Sequence, residues 1–347
     1  PMEQKLEFLY LSQEDVIRCG ALDMDMVLER IERFFSLHDL GECIVPDKVT
    51  LRWGDAASEA VTGRINGMPG FVGGDIRTAG IKWIGSKPLN PQRHALPRAS
   101  ALTILNDPET GAPLAVMDGT VISAMRTGAV TGVAAKYLAR RDSVTAAFIG
   151  AGTQNHTQIL AVRTAIPSLS EIRLFDISQE RIDAFIDIER ERFPGIPLVG
   201  VSTAEEAVRG ADIVVTATTS LTPIVRAEWI RKGAFLANIG NYEFEFEAVR
   251  LADKIVADNW DAILHRGIQT PAIMANMGKL ERGELHAELG SIVNGKFSGR
   301  ETSDETIFFC AVGMGAEDIV VARKIFDEAV SKDIGTWLTL WERPFWV

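Results

Sequence analysis

The period of the hydrophobic positions changes along this chain, and each change marks a different kind of element. Met26, Val27, Ile31, Phe34 and Phe35 recur at helical spacing behind Asp23, a residue suited to cap a helix, and Ser12 can cap a shorter helix before it. Between residues 45 and 117 the texture turns to short β-rich runs, at 48–53, 60–68, 80–84, 101–105 and 114–117. Turn clusters such as Gly73-Gly74-Asp75 and Asn106-Asp107-Pro108 separate them, which predicts an antiparallel or mixed sheet. A long helix is expected over 121–138, its Ala124, Gly128, Ala129, Gly132, Ala134 and Ala135 allowing close packing.

Beyond it the pattern alternates strand and helix. An apolar run at 146–150 leads into Gly150-Ala151-Gly152, a helix-periodic segment follows, and a second run at 172–175 ends on Asp176. That is a β-α-β unit with a glycine turn: Gly150 permits the tight turn, Gly152 lets backbone approach a pyrophosphate, and the helix opening near Thr153 offers free N–H groups. Asn155 stands where the fingerprint usually has a third glycine or alanine, which weakens the motif, but its context supports cofactor binding. Asp176 is placed to accept from a ribose hydroxyl and to repel the extra phosphate of NADP, so the expected cofactor is NAD, although Arg181 could reverse that choice. Runs at 213–216, 234–239 and 254–257 continue a doubly wound sheet, and a late amphipathic helix at 316–330 is expected to return to the first domain. The aromatic tail WLTLWERPFWV reads as a cap on a core or a subunit contact, the alternative being a substrate wall or lid.

A length of 347 residues makes two domains the default, and 46% hydrophobic residues can fill sizeable cores. The net charge of −11, without a dense basic face, argues against nucleic acid. Cys19, Cys43 and Cys310 are scattered and odd in number, and the five histidines form no ligand pair, so neither a disulfide framework nor a metal is expected. The acidic start PMEQKLEFLYLSQEDV lacks the features of a signal peptide, and no run approaches a membrane span, so the expected location is cytoplasmic.

Two basic residues carry the candidate chemistry. Lys82 in GIKWIGSK sits inside an apolar strand, a costly place for a charge unless an anion meets it; otherwise it snorkels from a sheet edge. Arg126 in SAMRTGA has small neighbours that leave room for a bound carboxylate, which its guanidinium fork suits, the alternative being an inter-helix ion pair. Arg52 and Arg98, with Lys48, lie on or beside predicted strands and are weaker candidates for substrate binding. Glu288 in HAELG and Asp318 in GMGAED follow glycine turns or predicted strands, where each is a candidate catalytic acid or merely a helix cap.

Lys82 in GIKW, Arg126 in SAMRTGAV, the turn FIGAGTQ, HAELG and GMGAED, in that order, resemble the ornithine cyclodeaminase and μ-crystallin superfamily over almost the whole chain. The resemblance implies an α/β architecture: a Rossmann-type dinucleotide-binding domain over 122–314 and a discontinuous α+β substrate-binding and dimerisation domain from 1–121 and 315–347. It implies that Lys82 and Arg126 hold a carboxylate and that Gly150, Gly152 and Asp176 contact NAD. Thr127, Thr153, Gln154, Thr216 and Asn238 complete the candidate cofactor contacts. GIKWIGSKPLNP, RASALTILNDPET, LHAELG and FSGRE resemble more closely the branch that serves 2,3-diaminopropionate synthesis. That branch splits an N-substituted glutamate oxidatively into 2-oxoglutarate and L-2,3-diaminopropionate. Two carboxylates that ornithine cyclisation would use are replaced by Asn66 and Tyr242, with Glu243 one residue further as a possible substitute. Cyclodeaminase, ketimine reductase, alanine-type dehydrogenase and a nucleotide-dependent binding protein remain alternatives.

Overall fold

The computed structural model describes residues 5–54, 63–192, 195 and 197–346. Contacts divide the chain into two units, one formed by residues 1–126 and 314–347 and the other by 127–313.

The first unit is built on a mixed sheet. Its strands are β1 (Leu6–Leu11), β2 (Cys43–Ile44), β3 (Val49–Trp53), β4 (Gly63–Val72), β5 (Thr78–Ser86), β6 (Ala99–Asn106), β7 (Pro113–Asp118) and, at the far end of the chain, β16 (Thr336–Trp341). They lie in the order β16-β1-β7-β6-β5-β4-β2, with β3 also on β4. β1 runs parallel to β7, and the remaining pairs are antiparallel. The expected run at 60–68 starts outside the described residues; its described part opens β4. Helix Met24–Asp39 begins at Asp23, whose side chain accepts from the Met26 N–H, and the shorter helix before it carries the Ser12 capping box. The late helix Gly315–Lys332 returns to this unit and packs on β4, β5, β6 and helix Met24–Asp39. Val27, Ile31, Phe34 and Phe35 from one helix and Ile319, Val320, Ala322 and Ile325 from the other are fully buried, each large side chain contributing about 1.5–3 kcal/mol.

The aromatic tail does not cap this core. Thr336–Trp341 is an edge strand paired with β1, and all six residues are exposed. Hydrogen bonding to a sheet edge leaves both of its faces uncovered, which composition could not reveal. β1 went unrecognised as well, because its Leu-rich run is short and lacks a flanking turn.

The second unit is a parallel sheet of β8 (Thr145–Ile149), β9 (Glu171–Phe175), β10 (Leu198–Gly200), β11 (Ile213–Thr216), β12 (Phe235–Asn238), β13 (Lys254–Ala257), β14 (Ala287–Glu288) and β15 (Ile307–Cys310). Their order is β10-β9-β8-β11-β12-β15-β13-β14, every pair parallel. Strand order reverses direction on either side of β8, which is where ligands bind in such sheets. β8, β11, β12, β13 and β15 are buried along their whole length, as a sheet covered on both faces requires. Helix Thr120–Leu138 carries the chain from the first unit into the second. Among the described residues no helix is long and apolar enough to cross a membrane.

Candidate active site

Lys82 lies on β5, between β4 and β6, so it is not a snorkelling residue of a sheet edge. Its side chain is 2% exposed. The anion that meets it is Asp318, 2.8 Å away in the first turn of the late helix, and the Ser123 hydroxyl is 3.2 Å from the same Nζ. Arg126, one helical turn past Ser123, donates to Glu317 at 2.5 Å, and its Nε lies 3.1 Å from Asp318. The inter-helix ion pair considered for Arg126 is therefore real, and it is joined to Lys82. Two cations and two anions form one buried, charge-balanced cluster, with Glu317 and Asp318 fully inaccessible.

Local sequence explains how the late helix brings two acids so close to the sheet. Gly315, its first residue, sits where a Cβ would lie 2.5 Å from the Met68 carbonyl, so only glycine lets the backbones approach. Glu317 and Asp318 then fall in the first turn, where the helix dipole also favours negative charge.

Electrostatics within the cluster are uneven. Burial, followed by the neighbouring Arg126 charge, pushes Lys82 down to about 8 against the opposing pull of Asp318. Burial is also the largest influence on Arg126, but Asp318 and Glu317 outweigh it and raise its pKa. Glu317 is raised, by burial working against the Arg126 charge. Among the described residues Glu317 Oε1 and Asp318 Oδ1 are buried without a hydrogen-bond partner. Unmet buried oxygens of this kind are costly, and a donor such as a substrate's amine would satisfy them.

Arg52 and Arg98 do not join the cluster; both are exposed, Arg52 on β3 and Arg98 just before β6. Glu317 was passed over in favour of its neighbour, although the Glu-Asp pair opening a helix was the available signal. Asn66 accepts from the Thr50 hydroxyl at 3.0 Å.

In the second unit Gly150 has φ +105°, a left-handed conformation that glycine alone adopts without strain, and its N–H donates to Phe175 at 2.7 Å. Gly152 is the N-cap of helix Thr153–Ala165 and supplies no side-chain cap, while Thr153 and Gln154 are exposed in the first turn. Asn155 is fully buried, and its amide donates to the carbonyls of Ile149 (3.1 Å) and Gly150. The residue that broke the fingerprint thus fastens the turn. Asp176 holds it from the other side: one carboxylate oxygen accepts from Ala151 N–H at 2.8 Å, the other from Ser178 N–H at 3.0 Å. An uncapped helix start, a left-handed glycine and an acid at the end of β9 fit a dinucleotide's pyrophosphate and ribose. The Thr127 carbonyl accepts from Gln158 at 3.2 Å.

Thr216 and Asn238 end β11 and β12, but their side chains are committed elsewhere. Both are buried and donate to Glu243, at 2.5 and 2.7 Å, so they set the shape of the strand ends and offer no free group to a cofactor. Glu243 also accepts from the backbone of Thr218 (2.5 Å) and Gly240 (3.0 Å). Burial raises its pKa against these donors. A carboxylate enclosed by four donors is a structural hub, unsuited to take a proton from attacking water. Glu288 is likewise employed, accepting from the Trp260 N–H at 2.9 Å where helix Trp260–Arg266 begins.

A parallel sheet with a nucleotide-type glycine turn, alongside a mixed-sheet unit holding a buried carboxylate and cation cluster, defines a two-unit α/β protein of Rossmann type. Residues 10–333 match the family model for the ornithine cyclodeaminase/mu-crystallin family, and the chain belongs to that family. It is 35% identical over 335 residues to N-((2S)-2-amino-2-carboxyethyl)-L-glutamate dehydrogenase of Staphylococcus aureus (strain NCTC 8325 / PS 47), covering 96% of this chain and 99% of that one. Among solved structures, Thermococcus litoralis Delta(1)-pyrroline-2-carboxylate reductase in complex with NADH and L-proline superposes with a TM-score of 0.86 at 35% identity, covering 95% of this chain and 99% of that chain. An archaeal alanine dehydrogenase dimer with bound NAD gives a TM-score of 0.87 at 35% identity, covering 97% and 100%.

Proposed function

We propose that this protein is an NAD-dependent dehydrogenase acting on the CH–NH bond of an amino acid, and that its substrate is N-(2-amino-2-carboxyethyl)-L-glutamate or a similar N-substituted glutamate. The observation that carries the reading is the buried cluster of Lys82, Arg126, Glu317 and Asp318, with two carboxylate oxygens that have no partner among the described residues. Gly150, Gly152, Thr153, Gln154 and Asp176 would hold the cofactor, and Thr127, Thr216 and Asn238 would shape its surroundings. NAD, when bound, supplies the hydride acceptor. Arg126 and Lys82 bind the α-carboxylate of the glutamate half and fix the orientation of its Cα–H, and such positioning is a large part of the rate. Loss of hydride from that carbon leaves a C=N bond, which water divides into 2-oxoglutarate and L-2,3-diaminopropionate. Asp318 is buried against Lys82 and Arg126, and Glu243 and Glu288 are engaged elsewhere, so Asp318 serves to hold the two cations in place and the water's proton is assigned to none of the three. A homodimer and a cytoplasmic setting accompany this reading.

Incubation with NAD and either the bridged diacid or ornithine, followed by mass spectrometry, tests it. The expected products are 2-oxoglutarate from the first and no proline from the second, because Asn66 and Tyr242 cannot serve as the missing bases. Proline formed from ornithine at enzymatic rates would refute the assignment.

A further inference from the structure

The sheet of the first unit carries a second basic feature, on the same face as Lys82. In register, Arg52 on β3 stands directly opposite Arg64 on β4, Arg64 opposite Ser86 on β5, and Ser86 opposite Ala99 on β6, with Arg98 next to it in sequence. Ser86 and Lys82 are four residues apart on β5 and therefore share a face, separated along it by about 14 Å of strand. The other face of these strands carries Leu51, Ile65, Trp83 and Leu102, so Arg52 and Arg64 lie on the face of the buried cluster, while Arg98, just before β6, is near enough for its charge to act on Arg64.

Like charges directly opposite on paired strands repel and destabilise the pair. Here the repulsion goes uncompensated: among the described residues no carboxylate pairs with Arg52, Arg64 or Arg98, although other exposed arginines, such as Arg33 and Arg77, have acidic partners. Arg64 is also held in place, its Nε donating to the Ser86 hydroxyl at 3.0 Å, with no partner for the terminal nitrogens of the fork among the described residues. Burial, and then the charges of Arg98 and Arg52, hold its pKa below the ordinary value. A fixed fork between two further guanidinium groups is a binding arrangement for an anion.

We propose that Arg64, flanked by Arg52 and Arg98, forms a second anion subsite that receives a carboxylate of the substrate distant from the one held by Lys82 and Arg126. The proposal rests on the dehydrogenase reading and deepens it, since it makes the substrate class a multiply charged amino acid. Arg52 and Arg98 stood out individually in the sequence as weak candidates; Arg64, which joins them, did not. The subsite would select a glutamate-derived substrate over alanine or proline, whose single carboxylate needs only the buried cluster.

Binding of two oxo acids that differ by one carboxylate arm separates the possibilities. Calorimetric titration with 2-oxoglutarate and with pyruvate, each with and without NADH, should show 2-oxoglutarate bound at least tenfold tighter. Replacing Arg64→Gln together with Arg98→Gln should abolish that preference by weakening 2-oxoglutarate alone, and Arg64→Lys should restore part of it, with thermal melts confirming that each variant folds. Equal affinity for the two acids in the unmodified protein, or a preference that survives the double substitution, overturns the subsite. A preference lost as expected in a protein that does not turn over the bridged diacid upholds the subsite and sinks the proposed substrate. Turnover of the bridged diacid with no preference does the reverse.

Discussion

Removing Arg126 tests the buried cluster most severely, because the residue balances two carboxylates at once. In Arg126→Ala, Glu317 and Asp318 keep only Lys82 as a counter-charge, and both acids are fully inaccessible to water. Breaking a buried ion pair by deleting one partner costs about 3–5 kcal/mol, most of it from the stranded charge. At about 2–4 °C per kcal/mol for a domain of this size, the melting temperature should fall by about 6–20 °C. Loss of the substrate's carboxylate partner should separately lower kcat/KM by about thirtyfold to several thousandfold, the equivalent of ~2–5 kcal/mol, with NAD affinity nearly intact. The two effects can be parted. Arg126→Met combined with Glu317→Gln removes one charge of each sign and leaves the Lys82–Asp318 pair, so most of the thermal stability should return while turnover stays low. Scanning calorimetry, steady-state kinetics at the nicotinamide absorbance band and NAD titration by tryptophan fluorescence give the three readouts. An Arg126→Ala protein that melts at the unmodified temperature would refute the energetic argument, and one that loses NAD affinity with substrate binding unchanged would refute the clamp.

Burial and Arg126 bring Lys82 to about 8, and the clamp needs its charge, so kcat/KM should fall by about tenfold per unit as pH rises above 8, a limb that Lys82→Arg should remove. A Lys82-dependent rise through the same range would make it a base. NAD should bind at least about tenfold tighter than NADP, or ~1.4 kcal/mol; Asp176→Asn should shrink that preference, and Asp176→Ala should also weaken NAD itself, since Ala151 and Ser178 lose their acceptor. Tighter binding of NADP by the unmodified protein would show Asp176 to be misread. Gly315→Ala forces a methyl against the Met68 carbonyl and should cost about 1–3 kcal/mol and lower turnover by displacing Glu317 and Asp318; unchanged denaturation and kinetics would show that the helix start has slack.

Local pattern was enough for the doubly wound unit, because strands buried on both faces are written as uninterrupted apolar runs and a glycine turn needs its glycines adjacent in sequence. Lys82 and Arg126 were legible as well: a charge inside an apolar strand or among small helical residues announces a distant partner. Who that partner is could not be read, since Asp318 lies 236 residues from Lys82 and Glu317 lies 191 from Arg126; only the return of the last long helix to the first sheet sets those charges side by side. The same holds for Glu243, which sequence offered as a base and packing converts into a hub, because four donors from two separate segments close around it. It holds too for Arg64, an unremarked surface residue until strand register aligns it with Arg52. Periodicity is local and survives in the chain as written, whereas the pairing of charges depends on long-range folding that brings remote segments into one low-dielectric space.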